Sequence, residues 1–572
     1  MTGSPIPGGW GRPEVAGATR ELLAAMALEP AGRVTPSVYE TGRVVSDAPW
    51  LAGHDRRLRY LLGSQRPDGG WGAAGGYALV PTLSAVEALL TSALPAGGDP
   101  TDPPAATTSG SSPATPPEAT QRTARAADGP ARGELLAAAG RGLTALRSWL
   151  ADGPLELPDT PAADLIVPAL TDRINAHLDR LGARPDGDES GAALPSAVDR
   201  RRFAALGALL ATGRPVPQKL LHAFEVLGPA ARGRPDVVPV AGAVGASPAA
   251  TAAWLDDPAS ADPEVLAYLE DAVRQHDGPV SCCTPVTVFE RAWTLSSLAR
   301  AGVPVRPTPR LIAELADALG PEGAATGPGL PADADTTSAA LYALALLGRP
   351  VDPVSLLRYD LGSHFCTWQG EDGRSVTTNS HVLEALGWHA EHTAPGAERY
   401  RDRVAALAEW LREQQQPDGS WTDRWHASPY YATCCAVLAL DGHAPAAVAA
   451  EAVDRAVDWI VATQRPDGSW GRWAGTVEES AYALHVLLGT DRPVRPGVRD
   501  AVIRGLAQLA AADPRRAHPP LWHDKDLYAP VLIVRAAVVA VWQLALARSD
   551  LAVAVGPDAT APVSDGPMIR SA

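Results

Sequence analysis

Three copies of one connector govern what this chain can fold into: Gln65-Arg66-Pro67-Asp68-Gly69-Gly70-Trp71, Gln415-Gln416-Pro417-Asp418-Gly419-Ser420-Trp421 and Gln464-Arg465-Pro466-Asp467-Gly468-Ser469-Trp470. Each fits Q-x-x-x-G-x-W. Pro fixes φ, Asp can bond its own backbone and Gly reaches positive φ, so Pro-Asp-Gly is turn chemistry. The Gln then ends one helix, and the Trp can pack back over it. Neighbouring segments 405–414, 452–464 and 480–488 place apolar residues three and four apart, the spacing of amphipathic helices. Alternating strand-like runs are scarce, and the connectors are short and rich in Pro, Asp and Gly. The chain reads as all-α. One local pattern at wide spacing means helical hairpins arranged in barrels or solenoids. One copy near the N-terminus and two near the C-terminus, in 572 residues, point to two helical-repeat domains rather than one core.

Charge and cysteine usage remove several function classes. A formal charge of −16 and a pI near 5.3 argue against a nucleic-acid partner, which needs clustered cations to displace phosphate counterions. The lysines are Lys219 and Lys525 alone, so arginine supplies nearly all positive charge. The five cysteines fall as Cys282-Cys283, Cys366 and Cys434-Cys435, neither a disulfide framework nor a CxxC metal pattern. Residues 1–13 lack a basic segment followed by an apolar one, and no run approaches the roughly 20 apolar residues that span a bilayer. A soluble, cytoplasmic protein is expected. Residues 95–132 are dominated by Pro, Ala, Thr, Ser and Gly, which cannot repay ordering entropy, and 549–572 are similar. Both are expected to be loose.

The segment Asp333-Ala334-Asp335-Thr336-Thr337 carries the sharpest chemical signal. By itself it reads as a helix N-terminus, since Asp before Thr-Thr-Ser-Ala-Ala is a good cap. It also places two carboxyls two residues apart. In an apolar cavity, desolvation and a neighbouring carboxylate both disfavour ionisation, so one of the pair can stay protonated as an acid.

Together with the three connectors, Asp-x-Asp-Thr-Thr resembles the squalene–hopene cyclase and copalyl diphosphate synthase superfamily. Ser37-Val38-Tyr39-Glu40-Thr41 looks like the S-x-Y-D-T element of its diphosphate-handling branch. Leu165-Ile166-Val167-Pro168-Ala169-Leu170 is similar to its F-P-S-L element, and Val288-Phe289-Glu290-Arg291-Ala292-Trp293 to its L-F-E-R-x-W. Thr377-Thr378-Asn379-Ser380-His381-Val382-Leu383 and Lys525-Asp526-Leu527-Tyr528-Ala529-Pro530 resemble elements of bacterial diterpene cyclases. The resemblance runs from about residue 36 to 546, in order. It implies a class II terpene cyclase with two α-barrel domains, β and γ, and the active site between them. Residues 1–49 would join β, 50–284 would form γ with the 95–132 insertion, and 285–548 would form β with the acid motif. Ionisation-type D-D-x-x-D is absent, since Asp256-Asp257 is followed by Pro-Ala-Ser. The diphosphate should survive the reaction.

The resemblance also implies roles. Asp335 would be the general acid, with Asp333 beside it; the family's commonest form is D-x-D-D, and Thr336 stands at the fourth position here. Aromatic faces stabilise a carbocation without quenching it, which makes Trp254, Trp293, Trp368 and Tyr431 candidates, Trp293 and Trp368 as substrate contacts. The repeat tryptophans Trp71, Trp421 and Trp470 read as structural. Arg291 and Arg374 could grip phosphate oxygens bidentately, with Asn379, Lys525 and Tyr528 as further substrate-binding candidates. Glu156, Asp159 and Asp164 precede the F-P-S-L-like stretch, where the family carries its acidic element for Mg²⁺. Leu220-Leu221-His222-Ala223-Phe224-Glu225 resembles the plant stretch whose His helps to terminate the reaction, so His222 is the candidate base; the plant partner Asn is replaced by Cys282.

The implied substrate is C20 geranylgeranyl diphosphate, closed to a copalyl or labdane-type bicycle. C15 farnesyl diphosphate closed to a drimenyl bicycle uses the same first steps and stays open. A squalene–hopene-type triterpene cyclase has no use for diphosphate elements and wants an apolar docking patch that is not seen. A zinc prenyltransferase subunit needs an Asp, Cys and His ligand set, and no such spacing occurs. A non-catalytic scaffold has no need of a paired Asp. A downstream class I synthase or a phosphatase would be the pathway partner.

Overall fold

The computed structural model describes residues 6, 8–94, 129–151, 157–181, 193–195, 198–371, 373–393, 396–490, 496–513 and 518–548. The expected loose insertion at 95–132 falls largely outside these residues, as do the tail and Glu156. Apart from two-residue strands at Trp522–His523 and Leu527–Tyr528, the described regular structure is helical. None of the described helices is long and apolar enough to cross a membrane.

Two compact units divide the chain. The first comprises Met1–Thr35, Thr284–His523 and Tyr528–Ala572; the second comprises Pro36–Cys283 and Asp524–Leu527. Residues 36–49, expected with the first unit, pack in the second. The helix Val38–Asp47 lies against Leu79–Ala93 and Pro248–Trp254 there, and it buries Glu40 and Arg43 as well as its apolar residues. Buried charge of this kind hides a helix's inner face from a hydropathy reading.

In the first unit, six inner helices touch in a closed ring: Thr287–Arg300, Ala334–Leu346, Val376–His392, Pro429–His443, Val477–Gly489 and Val531–Ala547, which returns to the first. Outer helices such as Glu398–Glu413, Ala446–Ala462 and Pro496–Ala511 link them. The outer set is amphipathic: Ala446–Ala462 buries Ala449, Ala452, Val453, Ala456, Val457 and Ile460, one stripe at helical spacing. Inner helices are buried nearly all round, as Ala334–Leu346 is from Thr336 to Ala345. Because each inner helix is reached through an outer one, the inner helices run parallel and their N-termini share one end. Four of those N-termini carry a side-chain cap, from Asp333, Ser375, Ser428 and Thr476.

The repeated connectors build one geometry three times. The Nε2 amide of Gln65, Gln415 and Gln464 donates to the carbonyl of its own Gly69, Gly419 or Gly468 and to a helix carbonyl at Ala138, Ala452 or Ala501, at 2.8–2.9 Å. Each Trp is fully buried, and its indole N–H bonds the carbonyl of Leu61, Leu411 or Ile460 at 2.6, 2.8 and 2.7 Å. Gly is required at the turn: φ is +88°, +98° and +87°, and a Cβ would lie 2.6–2.7 Å from the carbonyl oxygen of Arg141, Arg455 or Arg504.

Candidate functional site

Asp333 and Asp335 open the inner helix Ala334–Leu346 and face different tasks. Asp333 is the N-cap: its Oδ1 accepts the Thr336 N–H at 2.6 Å, and it is 4% exposed. Burial pushes its carboxyl up to about 7 against the bond from Thr336, with the negative charge of Asp335 adding to the rise. Thr336 is buried, and its hydroxyl meets that of Thr326 at 3.0 Å. The unusual fourth residue of the motif thus sits behind the cap.

Asp335 occupies the first turn with its side chain 17% exposed, and its Oδ1 lies 2.7 Å from Nδ1 of His381. The sequence gives His381 no evident role, although it stands in the Thr377–Leu383 motif. Burial opposes a charge on its ring, yet the Asp335 carboxylate beside it and the bond between them raise its pKa. A donor on Oδ1 leaves Oδ2 to carry a transferable proton. Once that proton leaves, the carboxylate is stabilised by the His381 N–H and by the positive end of the helix. Protonation of an alkene leaves a carboxylate behind, and these two contacts are placed to hold it.

Beside His381 the first unit holds a pocket walled by Trp293, Tyr342, Tyr431 and Tyr482 and by the ion pair of half-buried Arg300 with buried Glu384. Trp293 stands edge-on to His381 with centroids 5.1 Å apart, and its indole N–H donates to the Tyr431 hydroxyl at 2.7 Å. Tyr431 packs in turn on Tyr482 and Trp522, at 5.0 and 4.6 Å. The carboxylate of Glu478, fully buried, accepts from Trp522 and Tyr482 at 2.7 and 3.1 Å and fixes those rings. Such a wall can hold a cation by its faces. Of the other aromatic candidates, Trp368 packs edge-on to Trp425, and Trp254, in the second unit, bonds the Arg234 carbonyl.

Four further candidates do not line this pocket. Arg291 is buried in an ion pair with Glu314 at 2.5 Å. Asn379 is spent on backbone, accepting from the Phe365 N–H and donating to the carbonyls of Phe365 and Ser375. Tyr528 is buried. Arg374 is exposed on the loop before Val376–His392.

Lys525 lies in the second unit, fully buried. Its ammonium reaches Glu40, Glu225, the Ser247 hydroxyl and the His222 carbonyl, at 2.9, 3.0, 2.8 and 2.8 Å. Burial would lower its pKa, but Glu225 and Glu40 hold it above the usual lysine value. An ammonium has three donors, and these are committed within the unit. The same cluster takes up His222, whose Nε2 faces Asp524 Oδ1 at 2.8 Å and whose Nδ1 faces the Gly245 carbonyl at 2.7 Å. Burial disfavours its charge, but Asp524 outweighs that and raises the pKa. With acceptors at both nitrogens the ring carries both protons, so it has no lone pair for the terminating role expected of it. Asp526 completes the cluster by capping the helix Val38–Asp47 through the N–H groups of Val38 and Tyr39.

For Mg²⁺, Asp159 is exposed and Asp164 pairs with Arg202 at 2.9 Å. Among the described residues no three His, Cys, Asp or Glu side chains gather in metal-binding geometry.

Known proteins agree with this architecture along nearly its whole length. The squalene-hopene cyclase C-terminal domain matches residues 371–488. An ent-copalyl diphosphate synthase of Streptomyces sp. (strain KO-3988) is 42% identical over 528 residues, which is 91% of this chain and 94% of that protein. A copalyl diphosphate synthase of Streptomyces cyslabdanicus is 39% identical over 92% of this chain and 95% of its own length. Among solved structures, ent-copalyl diphosphate synthase from Streptomyces platensis superposes with a TM-score of 0.80 at 41% identity, covering 93% of this chain and 99% of that one. With the ring of inner helices and the paired Asp333 and Asp335 at the head of one of them, this likeness makes the chain a member of the bacterial class II terpene cyclases of the copalyl diphosphate synthase type, in the squalene–hopene cyclase superfamily.

Proposed function

We propose that the protein is an isomerase that cyclises geranylgeranyl diphosphate to a copalyl or labdane-type diphosphate, starting from a proton delivered by Asp335. The observation that carries the chemistry is the Asp335–His381 pair at the head of an inner helix, next to an aromatic pocket. The C20 substrate is supported by copalyl diphosphate synthases at about 40% identity over nine-tenths of the chain.

In this reading Oδ2 of Asp335 protonates the terminal alkene, and His381 holds the carboxylate that remains. Asp333 orders the helix start and withholds a second negative charge while it stays protonated. Trp293, Tyr431 and Tyr482 present faces to the cation, which ends by loss of one proton to water, and the diphosphate leaves on the product. The two units correspond to the β and γ domains of the family. Arg374 is retained as a diphosphate contact. Mg²⁺, when bound, would supply counter-charge to the substrate's diphosphate; turnover titrated against free Mg²⁺, with EDTA as the blank, tests that.

Incubation with C15 and C20 diphosphates in separate reactions, followed by dephosphorylation and analysis of the alcohols, tests the substrate. A bicyclic C20 alcohol is expected. Exclusive conversion of the C15 substrate would move the assignment to a drimenyl-type product, and rapid pyrophosphate release would mean an ionisation-initiated reaction.

A further inference from the structure

We infer that Cys435 is a positioning residue for the acid: its thiol holds the second ring nitrogen of His381, so that Nδ1–H is presented to Asp335. The inference rests on the reading of Asp335 as the proton donor.

An imidazolium has two N–H groups, and a buried one needs an acceptor for each. Nδ1 is taken by Asp335 at 2.7 Å, and the partner of Nε2 is the Cys435 sulfur at 3.7 Å. The thiol is buried, and burial holds its pKa well above the ordinary value, so it stays neutral while its lone pairs accept. Tyr431 stands one helical turn earlier on the same helix, Pro429–His443. Tyr431 in turn accepts the indole N–H of Trp293. One helix therefore carries both Tyr431, which holds the wall residue Trp293, and Cys435, which holds the His381 that faces Asp335.

The charged groups around the ring come from three helices. Asp335 on Ala334–Leu346 and Glu384 on the ring's own helix favour its charge, and Arg300 on Thr287–Arg300 opposes it. On Val477–Gly489, His485 is kept neutral by burial, its pKa lowered to about 4. The phenols of Tyr342, Tyr431 and Tyr482 carry no charge near neutrality, since burial raises each of them.

Cys435→Ala, Cys435→Ser and Asp335→Asn are compared with the wild type on geranylgeranyl diphosphate across pH, each checked by circular dichroism. Cys435→Ala strands the Nε2–H, so kcat should fall about 10- to 100-fold with KM within about twofold. The basic limb of the kcat profile should move down by about one pH unit. Cys435→Ser supplies a hydroxyl oxygen to the same N–H, restores kcat to within a few-fold of wild type, and moves the limb upward. Wild-type kcat and an unmoved limb in Cys435→Ala overturn the inference. Should that variant not fold, Cys435→Ser decides alone, and an unmoved limb overturns it. Turnover retained by Asp335→Asn overturns the acid reading and the inference with it; an inactive Asp335→Asn beside an unaffected Cys435→Ala removes the inference alone.

Discussion

Replacing Lys525 with methionine removes the one ammonium that Glu40 and Glu225 share, while a side chain of similar length continues to fill the space. Both carboxylates are buried, at 0% and 1% exposure of their side chains, so neither can turn to water. Breaking a buried ion pair from one side typically costs about 3–5 kcal/mol. That range applies here at pH 8. At lower pH the loss shrinks, because desolvation already lifts Glu40 to about 7 despite Lys525 and against its bonds from Ser247 and Ala249. Without the lysine Glu40 takes up a proton more readily still, and a protonated Glu40 leaves a single charge unpaired. For a unit of about 250 residues, each kcal/mol moves Tm by roughly 2–4 °C. The second unit should therefore melt about 10 °C lower at pH 8, and by less at pH 6. Differential scanning calorimetry reads both numbers. Adding Glu225→Gln to Lys525→Met should recover part of the loss by removing the stranded carboxylate. The reasoning is refuted if Lys525→Met melts like wild type at both pH values while KM for the prenyl diphosphate rises tenfold or more. That pattern would belong to a lysine that grips phosphate.

Two further outcomes follow from the same geometry. Asp333 holds its proton more tightly folded, near pH 7, than unfolded, near pH 4, so its contribution to stability falls as pH rises between those values, by at most about 4 kcal/mol. Asp333→Asn keeps a capping oxygen without the charge, so its melting advantage over wild type should grow from pH 5 to pH 8; a constant difference would contradict the assignment. Gly468→Ala places a Cβ against the Arg504 carbonyl at a φ of +87° and should cost at least ~2 kcal/mol in thermal or urea unfolding; an unchanged midpoint would mean that the connector tolerates a side chain.

How much of this was legible in the sequence depends on distance along the chain. The connectors are local: Gln, Gly and Trp act within seven residues, and their turn chemistry can be read directly. Outer helices declare one apolar stripe. Inner helices do not, because they bury Ser, Thr, His and Glu together with Leu and Ala on nearly every side. That is why the motif points to Asn379, whereas in the fold it is His381 that meets Asp335. Positions 379 and 381 lie on nearly opposite sides of one helix, and which side faces Asp335 is settled only by packing. Lys525 stood out by its motif, but its acidic partners Glu40 and Glu225 are about 300 residues or more away. Without them an isolated lysine reads as a ligand for phosphate. His222 had the same difficulty, since Asp524 and the Gly245 carbonyl turn an expected base into a donor.

The central claim is that Asp335 gives the first proton, and Asp335→Asn measures it most directly. The substitution keeps size and an oxygen for His381 but removes the acidic hydrogen. With geranylgeranyl diphosphate and Mg²⁺, the purified variant should bind substrate with wild-type affinity, melt within a few degrees of wild type, and form no cyclic diphosphate above background. Cyclic product formed at a rate near wild type would contradict the account.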